Sequence, residues 1–206
     1  MVLHLRLTAA QHGQTSVLGG LALTVSRGES VAVTGPSGIG KTTLLRIVAG
    51  LHKDWQGDLD LPGRLAMVFQ DPTLLPWRSA LENIIIPTRC SSDRARNLLV
   101  EVGLGGLDDR FPDALSVGQQ RRLSLARALA CDPDVLLMDE PFASLDDRTA
   151  DEMMALFEQA VGARNVAVLL VTHSETEAMR LSDRIIRLDG TPATIADTRP
   201  GHRAHA

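Results

Sequence analysis

The sequence predicts an α/β fold: a mostly parallel β-sheet with helices on both faces, an N-terminal antiparallel β subdomain and an inserted α-helical lobe. Three observations predict it. Short, largely apolar runs recur at residues 30–34, 65–69, 135–138, 166–171 and 184–188, as strands buried on both faces require. Segments with helical spacing stand between them at 43–49, 119–130, 147–160 and 175–181, which is the alternation of a parallel sheet. Residues 3–7 and 18–25 alternate apolar and polar positions, the pattern of antiparallel strands with one solvated face.

Taken in order, Arg27-Gly28-Glu29 turns the chain into the strand at 30–34, and Gly50 ends the helix at 43–49. The strand at 65–69 runs out at Gln70-Asp71-Pro72. From 72 to 115 the character changes to short helical pieces broken by Pro76, Pro87, Gly103, Gly105-Gly106 and Pro112. Ser79-Ala80-Leu81-Glu82 has the form of a capping box and starts one helix. Residues 94–102 supply another, with Leu98, Leu99 and Val102 on one face. Beyond it, Met153, Leu156, Phe157 and Ala160 align on the helix at 147–160. The expectation is one domain over residues 1–195, its helical lobe at about 72–115, followed by a flexible tail at 196–206.

Composition removes several functional classes. A net charge of −4 gives no footprint of a general nucleic-acid binder. Cys90 and Cys131 lie far from any CxxC or Cys/His cluster, so neither a disulfide framework nor a zinc site is expected, and a reducing, cytosolic setting is. The N-terminus alternates like a strand and lacks a basic start followed by an apolar block. No apolar run approaches the roughly 20 residues needed to cross a bilayer, so any membrane role is expected to be peripheral.

The chemistry begins with Gly35-Pro36-Ser37-Gly38-Ile39-Gly40-Lys41-Thr42, after a strand and opening a helix. Its glycines let successive backbone N–H groups curl around the β- and γ-phosphates of ATP. Lys41 adds a point charge, Thr42 can ligate Mg²⁺, and Thr43 follows in the same helical turn. This gives the α/β core the expected form of a P-loop NTPase. Val135-Leu136-Leu137-Met138-Asp139-Glu140 is a second station. Four apolar residues bury a strand and deliver two carboxylates at its C-terminal end, where ligands gather in open α/β sheets. Asp139 is placed to hold Mg²⁺ through water and Glu140 to orient or deprotonate the attacking water. Two acids merely capping a strand is the plainer alternative, weakened by their pairing with the phosphate loop. His173 ends the apolar run at 168–172. An imidazole there is either structural or a donor to a γ-phosphate oxygen. Gln70 is either a polar residue leaving the sheet or a neutral contact to Mg²⁺ and to the lobe it opens.

The order of motifs closely resembles the ATP-binding-cassette (ABC) family of nucleotide-binding subunits. The matching residues are the phosphate loop 35–42, Gln70, Leu115-Ser116-Val117-Gly118-Gln119-Gln120, Asp139-Glu140, Ser144-Leu145-Asp146 and His173. The resemblance implies that two subunits sandwich two ATP molecules head to tail. Ser116, Gly118 and Gln119 of one subunit complete in trans the site formed by Lys41, Asp139 and Glu140 of the other, and Asp146 lies at the seam. Simple helix N-capping is the plainer role for Ser116, and both can hold together. Two departures stand out. Val117 replaces a common family glycine and is costly if that position needs positive φ. The resemblance also implies an aromatic residue stacking on adenine in the N-terminal strand region. The chain has no Tyr, and the matching place is near Gln11-His12-Gly13, where His12 either stacks or is an exposed loop residue.

The stretch from Phe69 to Asn83 looks most like importers of the nitrate/sulfonate/taurine group. That resemblance implies an ATPase driving uptake of a small anionic solute through a separate integral membrane permease, with a separate solute-binding protein, from the cytoplasmic face of the membrane. The permease is expected to dock near Gln70–Trp77, with Leu75 and Trp77 as contacts unless Trp77 packs the lobe's own core. A soluble cassette ATPase acting on nucleic acid or ribosomes, an exporter's ATPase and an ATP-binding switch without turnover are the alternatives.

Overall fold

The computed structural model describes residues 2–203. Its strands are β1 Leu3–His12, β2 Thr15–Leu18, β3 Leu21–Val25, β4 Ser30–Thr34, β5 Trp55–Asp60, β6 Leu65–Val68, β7 Val135–Asp139, β8 Ala167–Val171, β9 Arg184–Gly190 and β10 Ala193–Pro200. Its α-helices are α1 Lys41–Val48, α2 Ala80–Thr88, α3 Ser92–Glu101, α4 Val117–Leu129, α5 Asp147–Gly162 and α6 Glu175–Leu181. A 3₁₀ turn, Pro112–Ala114, precedes α4.

The strand order is β3-β1-β2-β10-β9-β4-β8-β7-β6, with β5 paired to β1. From β9 to β6 every pairing is parallel, while β1 pairs antiparallel with β2, β3 and β5. The period of two along the parallel strands sorts their side chains between two cores. Leu136, Met138, Val168 and Leu170 face α4, α5 and the inserted helices. Val31, Val33, Val135, Leu137, Leu169 and Val171 face α1 and the antiparallel strands. Both faces of each strand are therefore apolar, which explains the continuous runs in the sequence.

The lobe has no core of its own. Ile84 of α2 and Ala95, Leu98 and Leu99 of α3 pack into the same cluster as Leu123 and Leu129 of α4 and Phe157 of α5. Its loops are tied down by polar groups instead. Asn83 is fully buried; its amide nitrogen donates to the carbonyls of Leu75, Arg78 and Ser79, and its oxygen accepts from Leu75 N–H at 2.7 Å. Arg127 of α4 donates to the carbonyls of Pro72 and Thr73 at 2.8 and 2.9 Å.

The structure departs from the sequence expectations in the outer strands. The region 18–25 is two strands, β2 and β3, separated by Gly19-Gly20. β5 carries mainly polar residues and β10 is mostly exposed, so neither gave an apolar signal. β10 also corrects the expected flexible tail: residues 196–200 continue a strand paired with β9. Gly201, His202 and Arg203 then donate backbone bonds to Asp183, Met179 and Ser182. The last three positions of that expected tail, 204–206, lie outside the described residues.

Candidate active site

Helix termini reveal where an anion belongs. Among the described residues, five of the six α-helices begin with a Ser or Asp whose side chain accepts a first-turn N–H, satisfying donors that helices leave open. α1 does not: it starts at Gly40, φ +111°, with no side-chain cap and no acid in its first turn. Its free N–H groups carry the positive end of the helix dipole. At Gly40 a Cβ would lie 2.7 Å from Leu18 and 2.8 Å from Val17, so only glycine fits both the dihedral and the space.

The loop joining β4 to α1 is the predicted phosphate loop, and it separates two clefts. One, about 590 Å³, is lined by Gly35, Pro36, Ser37, Glu140, His173, Glu175 and Arg187. The other, about 340 Å³, is lined by Ser37, Gly38, Gly40, Lys41, Thr42, Thr43, Gln70 and Glu140. Gln70, Glu140 and His173 come from the ends of β6, β7 and β8, so the parallel sheet converges them on the loop. Ile39 packs inward against the core beneath α1. Lys41 is 5% exposed, and its ammonium curls back to the carbonyls of Gly35 and Pro36 at 2.9 and 3.0 Å. Burial lowers its pKa against the opposing pull of Glu140 and Asp139.

Thr42 donates its hydroxyl hydrogen to Asp139 Oδ1 at 3.0 Å. Burial pushes the Asp139 carboxyl pKa up, the Thr42 bond opposes that, and the charge on Glu140 adds to it. These two hard oxygen donors beside the phosphate loop suit Mg²⁺, which takes one or two protein oxygens and completes its shell with phosphate and water. Among the described residues no cluster of three or more His, Cys, Asp or Glu could hold a metal by itself. The donor set therefore fits a metal that arrives with a phosphate.

Glu140 sits at φ +44°, its N–H donating to Val171 carbonyl at 2.9 Å. Its Oε2 is 3.1 Å from His173 Nδ1. Behind His173, Thr172 donates its hydroxyl to Glu177, whose carboxyl burial drives toward higher pKa.

The remaining candidates lie elsewhere on the chain. Ser116 is the N-cap of α4 in a reciprocal capping box with Gln119, at 3.2 and 2.9 Å. Neither these residues nor Gly118 line the two clefts. Val117 begins α4 with helical backbone and is 56% exposed, so the feared cost of positive φ does not arise. Asp146 caps α5, accepting from Thr149 N–H and hydroxyl at 3.0 and 2.7 Å, which lowers its pKa. His12 is exposed at the end of β1 and is absent from the lining of both clefts. Trp77 is 67% exposed, which rules out packing within the lobe. Sequence reasoning passed over Arg121 and Arg127; it read Glu177 only within a helix cap and Asn83 only within the importer-like stretch, with no role at the site for either. Arg121 had a readable signal: it shares a helix face with Leu125 and Ala128, and a charge within an apolar stripe is unusual.

The ABC transporter family profile matches residues 18–143. The chain belongs to the ABC transporter family. An aliphatic sulfonates import ATP-binding protein, SsuB 1, of Rhodococcus jostii is 44% identical over 206 residues, covering 95% of this chain and 84% of that protein. The aliphatic sulfonates import ATP-binding protein SsuB of Granulibacter bethesdensis is 45% identical, covering 92% and 82% respectively. Among solved structures, a dimeric bacterial ABC transporter cassette superposes with TM-score 0.85 at 28% identity, covering 98% of this chain and 99% of that one. A dimeric post-hydrolysis state of an ATP-binding cassette, bound to ADP and Pi, gives 0.83 at 28% identity, with the same coverage. The fold is that of an ABC ATPase, and ATP hydrolysis is its activity. Among the described residues no helix is long and apolar enough to cross a membrane.

Proposed function

We propose that this ABC ATPase powers uptake of an aliphatic sulfonate through a separate membrane permease, working in pairs at the cytoplasmic face of the membrane with a separate solute-binding protein. The single observation carrying the substrate class is the 40–45% identity, over most of the chain, to aliphatic sulfonate import proteins. The chain itself would not touch the sulfonate. Its exposed Trp77, on a loop pinned by Asn83 and Arg127, offers the permease a rigid aromatic anchor.

The proposed chemistry assigns each side chain one task. Residues 35–40 and the open N-terminus of α1 wrap the phosphates, with Thr43 in the same turn; Lys41 exchanges its two backbone carbonyls for phosphate oxygens. Thr42, Asp139 and Gln70 would hold Mg²⁺, which would neutralise phosphate charge when bound. Glu140 orients the attacking water and accepts its proton, and His173, 3.1 Å from it, donates toward the γ-phosphate. Ser116, Gly118 and Gln119 of a second subunit close the site, Asp146 lies at the seam, and His12 stacks on adenine. Support for closure in trans is that Ser116, Gly118 and Gln119 line neither cleft of their own chain.

The test is transport. Membrane vesicles carrying this chain with its co-purifying permease and binding protein are expected to accumulate an alkanesulfonate only with ATP. ATP-driven uptake of a different solute, with none of the sulfonate, refutes the substrate assignment.

A further inference from the structure

Glu140 occupies a backbone conformation that a side chain with a Cβ adopts only under constraint. At φ +44° it lies in the left-handed region, where a non-glycine residue costs on the order of 1–3 kcal/mol and persists only when its surroundings over-determine it. Three hydrogen bonds supply that constraint. Glu140 N–H donates to Val171 carbonyl at 2.9 Å, and Ala143 N–H donates to Glu140 carbonyl at 3.2 Å. The third reaches the next peptide: Arg121 Nη1 donates to Pro141 carbonyl at 2.7 Å in a buried contact.

Arg121 is an unusual residue to find there. It is 8% exposed, one turn into the helix that Ser116 caps, and its buried Nε makes no hydrogen bond. Asp71 and Glu177 are its attracting charges, opposing the burial that lowers its pKa. Asp71 follows Gln70, and Glu177 stands one turn beyond His173. One buried guanidinium thus bonds the segment that carries Glu140 and is attracted by charges on the segments that carry Gln70 and His173. An arginine serves this better than a lysine because its planar fork offers several donors in fixed directions.

We propose that Arg121 is a positioning residue for hydrolysis: by clamping the Pro141 carbonyl it holds Glu140 in its left-handed conformation, and it mechanically joins Glu140 to the helix beginning at Ser116. The inference rests on the reading of Glu140 as the residue that aims the water. Since Ser116 is assigned to the opposite nucleotide, the clamp would let closure over one ATP steady the glutamate serving the other.

The test compares Arg121→Gln, Arg121→Lys, Glu140→Gln and the double variant R121Q/E140Q, all in the full chain. In R121Q, kcat for ATP should fall about tenfold to hundredfold, the scale on which a misplaced reacting group loses rate. KM and the calorimetric Kd for ATP should shift less than about twofold, because Arg121 makes no part of the nucleotide cleft. R121K keeps the buried charge but loses the fork, so its kcat should lie between wild type and R121Q. In the E140Q background, R121Q should slow single-turnover hydrolysis no further, since it acts through Glu140.

A wild-type kcat in R121Q or R121K overturns the proposal. So does a fall in ATP affinity that matches the fall in kcat, or an undiminished effect of R121Q in the E140Q background. If R121Q does not fold, R121K in both backgrounds decides by the same comparisons. An E140Q chain hydrolysing at the wild-type rate defeats the reading of Glu140 and this inference together. An inactive E140Q beside a fully active Arg121 variant defeats this inference alone.

Discussion

Lys41 carries a positive charge into a site where it is nearly buried and answered by two backbone carbonyls. Those carbonyls compensate it only in part, so a phosphate is the better partner. Lys41→Ala should weaken ATP binding about tenfold to hundredfold, the worth of a charge-assisted contact, as read by calorimetry. Unchanged affinity would remove its phosphate role. Asp139 makes the complementary case through pH. Burial raises its folded pKa above the unfolded value, outweighing help from Thr42, Arg46 and Lys41. The ionised carboxylate therefore costs stability at neutral and alkaline pH, and that cost disappears as pH falls through the folded pKa. Asp139→Asn should raise the melting temperature of the nucleotide-free chain at about pH 8 and lose that advantage near pH 4. A variant less stable at both pH values would show that the charge is net favourable there. These side chains were legible in the sequence because their chemistry depends on spacing along one chain segment.

At the scale of elements, the least legible residues are those that support the site without touching it. Asn83 has no pattern in the sequence that marks its role, yet it is fully buried and satisfies four backbone groups of the loop displaying Trp77. Asn83→Ala would leave several of those groups unpaired, each costing about 1–3 kcal/mol if it stays dry. We expect a loss of about 3 kcal/mol in denaturant unfolding. A loss below about 0.5 kcal/mol, the usual range for surface changes, would mean that the loop is held by something else. The outer strands were missed for a different reason. β5 and β10 expose most of their residues, and a strand held mainly by backbone bonds to a neighbour leaves little periodicity to read.

For the whole molecule, the two faces of the sheet divide the labour. α1 and the antiparallel strands pack on one side, where the phosphate loop is braced. α4, α5 and the inserted helices share one core on the other, so a push on the lobe is transmitted into α4 through close packing. Trp77 is exposed on the loop that Asn83 and Arg127 pin to the lobe. Trp77→Ala should leave ATPase activity of the isolated chain within about twofold while abolishing co-purification with the permease and sulfonate uptake. Uptake at the wild-type level in this variant would place the docking surface elsewhere.

The sequence alone determined the parallel core, the phosphate loop and the carboxylates at the end of β7, because each is written in neighbouring residues. It also carried the ordered motifs that mark the family. Only the tertiary structure decided that Val117 begins a helix without positive φ, and that Trp77 is exposed. It alone placed residues 196–200 in a strand and Arg121 against the Pro141 carbonyl. Those facts depend on which segments meet in space, and burial and hydrogen bonding between distant segments leave no local pattern to read.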